Sequence, residues 1–293
     1  MKTSSLSIII PCFNEEKILS FSIDTLLNYL NPKNLNYELI IVDDGSSDNT
    51  FNIACGYSKK NTRIKAYKTE KNFGKGHAVR YGIEKSNNDI LFFIDADITY
   101  DLSAIEEMLK IYEETNTVMV CGSRHLKNNK TYNKFPLLRQ ITGYIFSLII
   151  RFFLFSDVVD SQCGFKSIKS NIIKQIAKNF TINRFGYDME LLYYVKKVLR
   201  HKVVFIPVNP VIIRNESKVN IISDSIIMIL DIIKIKFNFF FKNNSKKNNI
   251  SSIISGSYQF EALNKGNIIQ KFWHKEKNLI AKKILKNTIL ILF

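Results

Sequence analysis

The chain has 293 residues, 46% hydrophobic and 12% aromatic, with 42 Lys+Arg against 26 Asp+Glu and a formal charge of +16. That is ample apolar material for a packed core, which excludes disorder over most of the length, and the basic balance favours anionic partners such as phosphorylated substrates or acidic lipid headgroups. The scattered Cys12, Cys55, Cys121 and Cys163 form no CxxC or Cys/His cluster, which argues against zinc, and no run reaches the roughly 20 uncharged apolar residues of a membrane span.

The first half alternates strand and helix signals. Ser7 to Ile10 reads as a buried strand ended by Pro11. Glu15 to Leu30 carries apolar residues at helical spacing and stops at Asn31-Pro32. Leu39 to Val42 is a second strand, followed by the turn-rich Asp43 to Asp48, in which Ser47 or Asp48 caps the next helix. Ile64 to Tyr67 is a short third strand. Asn72-Phe73-Gly74-Lys75-Gly76 is a glycine loop entering a helix over His77 to Lys85. Ile90 to Ile94 is the fourth strand, Asp101 to Glu114 a helix, and Thr117 to Cys121 the fifth strand. This alternation predicts βαβ units and a mainly parallel α/β sheet flanked by helices.

The pattern changes after Arg124. Leu137 to Phe155 is apolar and aromatic, and Asp160 to Lys166 is polar. Arg184 to Val195 looks helical; Val203 to Ile206 and Val211 to Ile213 look like strands. Asn220 to Lys242 is an amphipathic helix suited to a bilayer interface; the alternative is a helix packed on the domain's own core. Asn243 to Asn249 is a polar linker before a basic amphipathic tail, either a second interfacial segment or a frayed terminus. The expected organisation is a domain over 1–219, an interfacial helix over 220–242, and linker and tail over 243–293.

The chemistry concentrates at strand ends. Asp95-Ala96-Asp97 follows a buried apolar strand, and in open α/β sheets ligands bind beyond the strands' carboxyl ends. Hard divalent cations take oxygen ligands, commonly one or two carboxylates plus substrate phosphates. Asp43 and Asp44 end a second buried strand and would face the same edge, although Asp-Gly-Ser also builds plain turns. Lys75 and its loop offer a cation and backbone N–H groups to phosphate, without Walker A spacing; a flexible turn is the alternative. Arg124, Arg139, Arg214 and Lys218 sit near element ends, where arginine can grip phosphate with two bonds. Asp188 lies on a helix, where a solvated or capping acid is the bland reading.

Taken together, Ile10-Pro11-Cys12-Phe13-Asn14-Glu15-Glu16, Val42 to Asp48, Asn72 to Gly76 and Asp95 to Asp97 resemble glycosyltransferase family 2 on the GT-A (Rossmann-like) fold. Gly122-Ser123-Arg124, Asp160 to Lys166, Arg184 to Leu191 and Glu216-Ser217-Lys218 are similar to dolichyl-phosphate β-glucosyltransferases and, more broadly, polyprenyl-phosphate sugar transferases. The resemblance spans about Ser7 to Phe241. It implies that Pro11, Phe13, Glu15, Val42 and Asp44 contact the nucleotide. Asp95, Ala96 and Asp97 line the diphosphate, with Asp97 the firmest metal ligand. Arg124 and Arg139 meet the acceptor phosphate, and Arg214 and Lys218 the diphosphate or acceptor. Two features depart from that pattern. The eukaryotic glucose enzymes carry an N-terminal membrane anchor, and none is read here. Asn209-Pro210-Val211 also replaces the usual Asn-Trp.

The expectation is an inverting transfer of glucose from UDP-glucose to a polyprenyl phosphate, with Mg²⁺ or Mn²⁺, in the cytoplasm at the membrane surface and without nucleic acid. A phosphate nucleophile is already anionic and requires no strong base. One alternative is a family 2 enzyme with a hydroxyl acceptor and Asp188 as base. Another is a non-enzymatic basic membrane binder.

Overall fold

The structure, a computed structural model, describes residues 4–124, 126, 148–155, 157–158, 160–209 and 227–239. Its strands are β1 (Leu6–Cys12), β2 (Tyr37–Asp43), β3 (Ile64–Lys68), β4 (Ile90–Phe93), β5 (Met119–Ser123), β6 (Lys166–Lys169) and β7 (Val203–Pro207). The principal helices are α1 (Leu19–Leu30), α2 (Thr50–Lys60), α3 (Lys75–Lys85), α4 (Ala104–Glu114), α5 (Ser170–Ala177) and α6 (Tyr187–Tyr193), the last continuing as a π-helical stretch over Tyr194–Val198. The strands form one sheet in the order β3-β2-β1-β4-β6-β5-β7. Every pairing is parallel except those of β6, which runs antiparallel to both β4 and β5.

Alternation along the strands splits the core in two. Ile9, Ile40, Val42, Leu91 and Phe93 point to a face covered by residues of α3, α5 and α6. Ile8, Ile10, Leu39, Ile41 and Phe92 point to the other, covered by α1 and α4. Strands buried on both faces read as unbroken apolar runs, which is why β1, β2 and β4 were visible in the sequence.

Pro11 does not end β1; the strand runs through it to Cys12. Ile9 faces β4, since its carbonyl accepts the Ile94 N–H at 3.1 Å. Pro11, two residues on, faces the same side, but β4 stops at Phe93. The N–H that proline lacks therefore has no ladder partner to lose.

β6 was not expected from the sequence. Its residues, Lys166-Ser167-Ile168-Lys169, look polar, yet it is central, and Lys166, Ser167 and Ile168 are all fully buried. Ser167 is satisfied by Tyr112, 3.1 Å from its hydroxyl, and Lys166 by an ion pair described below.

Within the anticipated 220–242 helix, residues 227–239 are described and helical. Ile232 and Ile235 are buried in the core and Phe239 meets Tyr193 edge-on, while Ile229 and Leu230 remain exposed. The core-packed reading thus holds for one face. The Val211 to Ile213 strand, the 243–249 linker and the tail lie outside the described residues.

That helix carries a group with a cost. Asp231 Oδ2 is buried without a hydrogen-bond partner among the described residues, and it fills the space a Cβ would need at Gly186. Burial raises its pKa, Lys234 and Arg184 oppose this, Glu190 adds to it, and the outcome is about 6. A carboxyl raised in the native state binds its proton more tightly there than when unfolded. Stability is therefore lost as pH rises from about 4 through about 6. Asp231→Asn is expected to stabilise the protein at pH 7 by on the order of 1 kcal/mol and to change little at pH 4. Thermal melts of both proteins across this range would check it; equal melting curves at pH 7 would contradict it.

Candidate active site

The carboxyl ends of β1, β2 and β4 lie side by side, so their loops share one edge. The β1–α1 and β2–α2 loops are stitched to each other. Asn14, at a left-handed φ of 53°, donates its N–H to Ser46 Oγ at 2.8 Å and accepts the Ser47 N–H at 2.9 Å. Glu15 N–H reaches Thr50 Oγ1 at 2.7 Å. The cap position of α2 is Asn49 rather than Ser47 or Asp48, but Asp48 Oδ1 accepts the Thr50 N–H at 3.0 Å and so shapes the entry to the helix. Pro11, Phe13 and Glu15 stay partly exposed along this rim.

The paired acids of β2 have separate tasks. Asp43 is fully buried and bonded to Ser46. Asp44 accepts the N–H groups of Phe73 and Gly74, at 3.2 and 2.6 Å, and the Thr69 hydroxyl at 3.2 Å. It therefore ties the glycine loop to the sheet edge. Gly74 has φ +107°, and a Cβ there would meet the Asn183 carbonyl oxygen at 2.6 Å. At Gly76 it would meet Ile182 O and Tyr187 Cβ, both at 2.7 Å. The loop is thereby seated on the segment leading into α6.

Counting two residues past the Ile9–Phe93 register puts Pro11 and Asp95 level at the edge. Ile98, a buried β-branched residue at φ +40°, turns the chain back, its N–H bonded to Asp95 O at 3.1 Å. Such a backbone is an outlier for isoleucine and holds Asp95-Ala96-Asp97 in a tight turn. Ala96 is buried, and its carbonyl accepts the Ser22 hydroxyl at 2.5 Å; Asp97 is partly exposed.

Three ion pairs surround this turn. Lys75 Nζ bonds Asp95 Oδ1. Arg124 grips Asp160 with two parallel bonds, Nε to Oδ2 at 2.8 Å and Nη2 to Oδ1 at 2.9 Å. Lys166 Nζ meets Asp188 Oδ1 at 2.7 Å and also bonds the Cys163 carbonyl. Burial raises the Asp95 pKa, but Lys75 foremost, with Lys166 and Arg124, outweighs it and holds the carboxyl below its ordinary value. Burial likewise lowers the Lys75 pKa, and Asp95 and Asp188 reverse this. The pairs thus act on one another as a single field.

Asp160, Gly164 and Lys166 were not singled out as site residues. Lysine and aspartate are almost never fully buried unless paired, so a polar run between apolar segments was the available signal. Gly164 is absent of side chain for a reason: a Cβ there would overlap the Asp95 carboxylate. Gly164→Ala is expected to displace Asp95 and lower kcat/KM of the reaction catalysed at this edge at least about tenfold. The comparison is with the thermal melt, which should move much less; unchanged kinetics would show that Asp95 tolerates the shift.

Two assignments need correction or limits. Val42 is wholly buried in the core, so its side chain supports the edge from beneath and faces no ligand. Arg139, Arg214 and Lys218 lie outside the described residues. Among the described residues no group of three His, Cys, Asp or Glu side chains gathers as a metal cage. The hard oxygen donors Asp95 and Asp97 have the chemistry to hold a divalent cation.

The profile of Glycosyl transferase family 2 matches residues 7–177, more than half the chain and all of this edge. The chain belongs to glycosyltransferase family 2. A dolichyl-phosphate beta-glucosyltransferase of Dictyostelium discoideum is 33% identical over 245 residues, covering 80% of this chain and 74% of that protein. One of Mus musculus is 30% identical, covering 71% and 67%. Among solved structures, glucosyl-3-phosphoglycerate synthase of Mycobacterium tuberculosis with Mn²⁺, UDP and phosphoglyceric acid superposes with a TM-score of 0.61. At 17% identity, over 79% of this chain and 78% of that one, it shows the shared GT-A fold. The protein is therefore a glycosyltransferase, and the non-enzymatic membrane-binder reading gives way.

Proposed function

We propose that this glycosyltransferase moves glucose from UDP-glucose to a polyprenyl phosphate of the dolichyl type at a membrane surface. The names of its relatives point to that donor sugar and acceptor. The observation that carries the acceptor class is the state of Asp188. Its side chain is 4% exposed and bonded to Lys166, itself 1% exposed. A carboxylate sealed in an ion pair is poorly placed to take a proton from a hydroxyl acceptor. A lipid phosphate needs no such base.

In this reading the rim of Pro11, Phe13, Glu15 and Asp44 receives the nucleotide. Asp97 and Asp95 hold Mg²⁺ or Mn²⁺, which when bound supplies positive charge to the departing diphosphate. Lys75 adds a cation beside it. Arg124, preoriented by Asp160, meets the acceptor phosphate with Arg139, and Arg214 and Lys218 serve the diphosphate or acceptor. The phosphate oxygen attacks the anomeric carbon opposite the leaving group, which inverts the configuration.

No helix among the described residues is long and apolar enough to cross a membrane. An exposed apolar surface is nonetheless present. Phe152 is 80% exposed, Leu148, Ile229 and Leu230 are also exposed, and Lys236 lies over the Phe153 ring at 5.1 Å. Apolar residues beside basic ones suit peripheral contact with acidic headgroups.

The test is transfer of label from UDP-glucose into the organic phase with Mg²⁺ and polyprenyl phosphate, set against GDP-mannose as donor and polyprenol as acceptor. Label with UDP-glucose and the phosphate alone is the expected result. Transfer to polyprenol instead would overturn the acceptor.

A further inference from the structure

Two of the ion pairs at the site are built differently. Lys166–Asp188 is closed, at 1% and 4% exposure, whereas Lys75–Asp95 lies at the open edge, at 20% and 35%. The surroundings of the open pair are unequal too. Asp95 is hemmed on its Oδ2 side by Gly164. The main chain under Lys75 is fixed by the start of α3, where the His77 N–H bonds the Asn183 carbonyl at 3.0 Å, and by Gly74, where a Cβ would meet that same carbonyl. The mobile part is the lysine side chain, whose ammonium also lies 5.9 Å from the Tyr187 ring.

Resting on the nucleotide-sugar reading above, we propose that Lys75 is an exchangeable counter-ion. With no donor bound, its ammonium occupies Asp95 and so competes with the divalent cation for that carboxylate. When a nucleoside diphosphate arrives with the cation, the ammonium leaves Asp95 and pairs with the diphosphate. The exchange follows from charge. A cation at Asp95 repels the ammonium, the incoming diphosphate attracts it, and Gly164 backs the Asp95 carboxylate on its Oδ2 side. Until then Lys75 keeps a partly buried carboxylate from standing without a counter-charge. The enzyme would hold metal weakly alone and firmly together with donor.

A lysine that only supports the fold, or only binds phosphate, predicts something else. The exchange alone gives Lys75→Met two effects of opposite sign. Mn²⁺ binding without nucleotide, followed by electron paramagnetic resonance, should tighten about fivefold once the competing cation is gone. UDP binding at saturating Mn²⁺, followed by calorimetry, should weaken about tenfold, because a charge-assisted bond to phosphate is lost. Lys75→Arg, which keeps the charge, should stay near wild type in the first measurement, and circular dichroism would establish that both variants fold. Unchanged or weaker Mn²⁺ binding by Lys75→Met would overturn the exchange while leaving the donor reading in place. Failure of the wild-type protein to bind UDP with Mn²⁺ would overturn both.

Discussion

Asp97→Asn is expected to lower sugar transfer at least about a hundredfold, in keeping with the loss of a single charge-stabilising group in other active sites, while the protein stays folded. The substitution preserves shape and removes only the negative charge. Asp97 stands in the turn that follows β4, partly exposed and held by main-chain bonds and the Ile98 backbone. Those supports do not depend on its charge. What depends on it in the proposed mechanism is the affinity of the edge for a divalent cation, since an amide oxygen is a poorer ligand than a carboxylate. Activity as a function of Mn²⁺ concentration, beside a thermal melt, measures both. Near-wild-type transfer at ordinary Mn²⁺ would remove Asp97 from the metal site.

The second large effect concerns stability. Lys166→Met is expected to cost about 3–5 kcal/mol, because it leaves the Asp188 carboxylate buried without its partner. Lys166 is fully buried on the central strand β6 and Asp188 is 3% exposed on α6, so solvent offers little compensation. Burial alone would lower the lysine pKa, yet Asp188 and its other neighbours hold it above the ordinary value, which marks the ammonium as strongly stabilised there. Replacing both partners, as Lys166→Met with Asp188→Leu, should recover most of the loss, since an apolar pair of similar volume avoids the unpaired charge. Urea unfolding of the single and double variants measures this. Transfer should remain impaired in the double variant, because Asp188 also contributes to the field on Lys75. A single variant as stable as wild type would show that the pair is not closed to water.

The α/β alternation and six of the seven strands were legible, foremost because β1, β2 and β4 are apolar throughout and the helices between them carry apolar stripes. β7 was legible for a similar reason. β6 was not. Its lysine and serine are buried by partners 22 and 55 residues away in the chain, Asp188 and Tyr112, and no local pattern announces such distant pairing. The acids at 95 and 97 and the basic Arg124 were legible as chemistry. Their division of labour was not: Asp44 braces the glycine loop, Val42 belongs to the core, and Arg124 is oriented by Asp160.

Local order along the chain was enough to specify strands, helices and which residue types stand at strand ends, because burial on two faces writes itself into consecutive residues. It was also enough to place the protein in its family, through short motifs at fixed positions. Which charges neutralise which was decided only in three dimensions. An antiparallel strand inserted between β4 and β5 carries Lys166 to Asp188 and seats Gly164 against Asp95. Electrostatic partnership depends on distance through space, and the fold alone sets that distance.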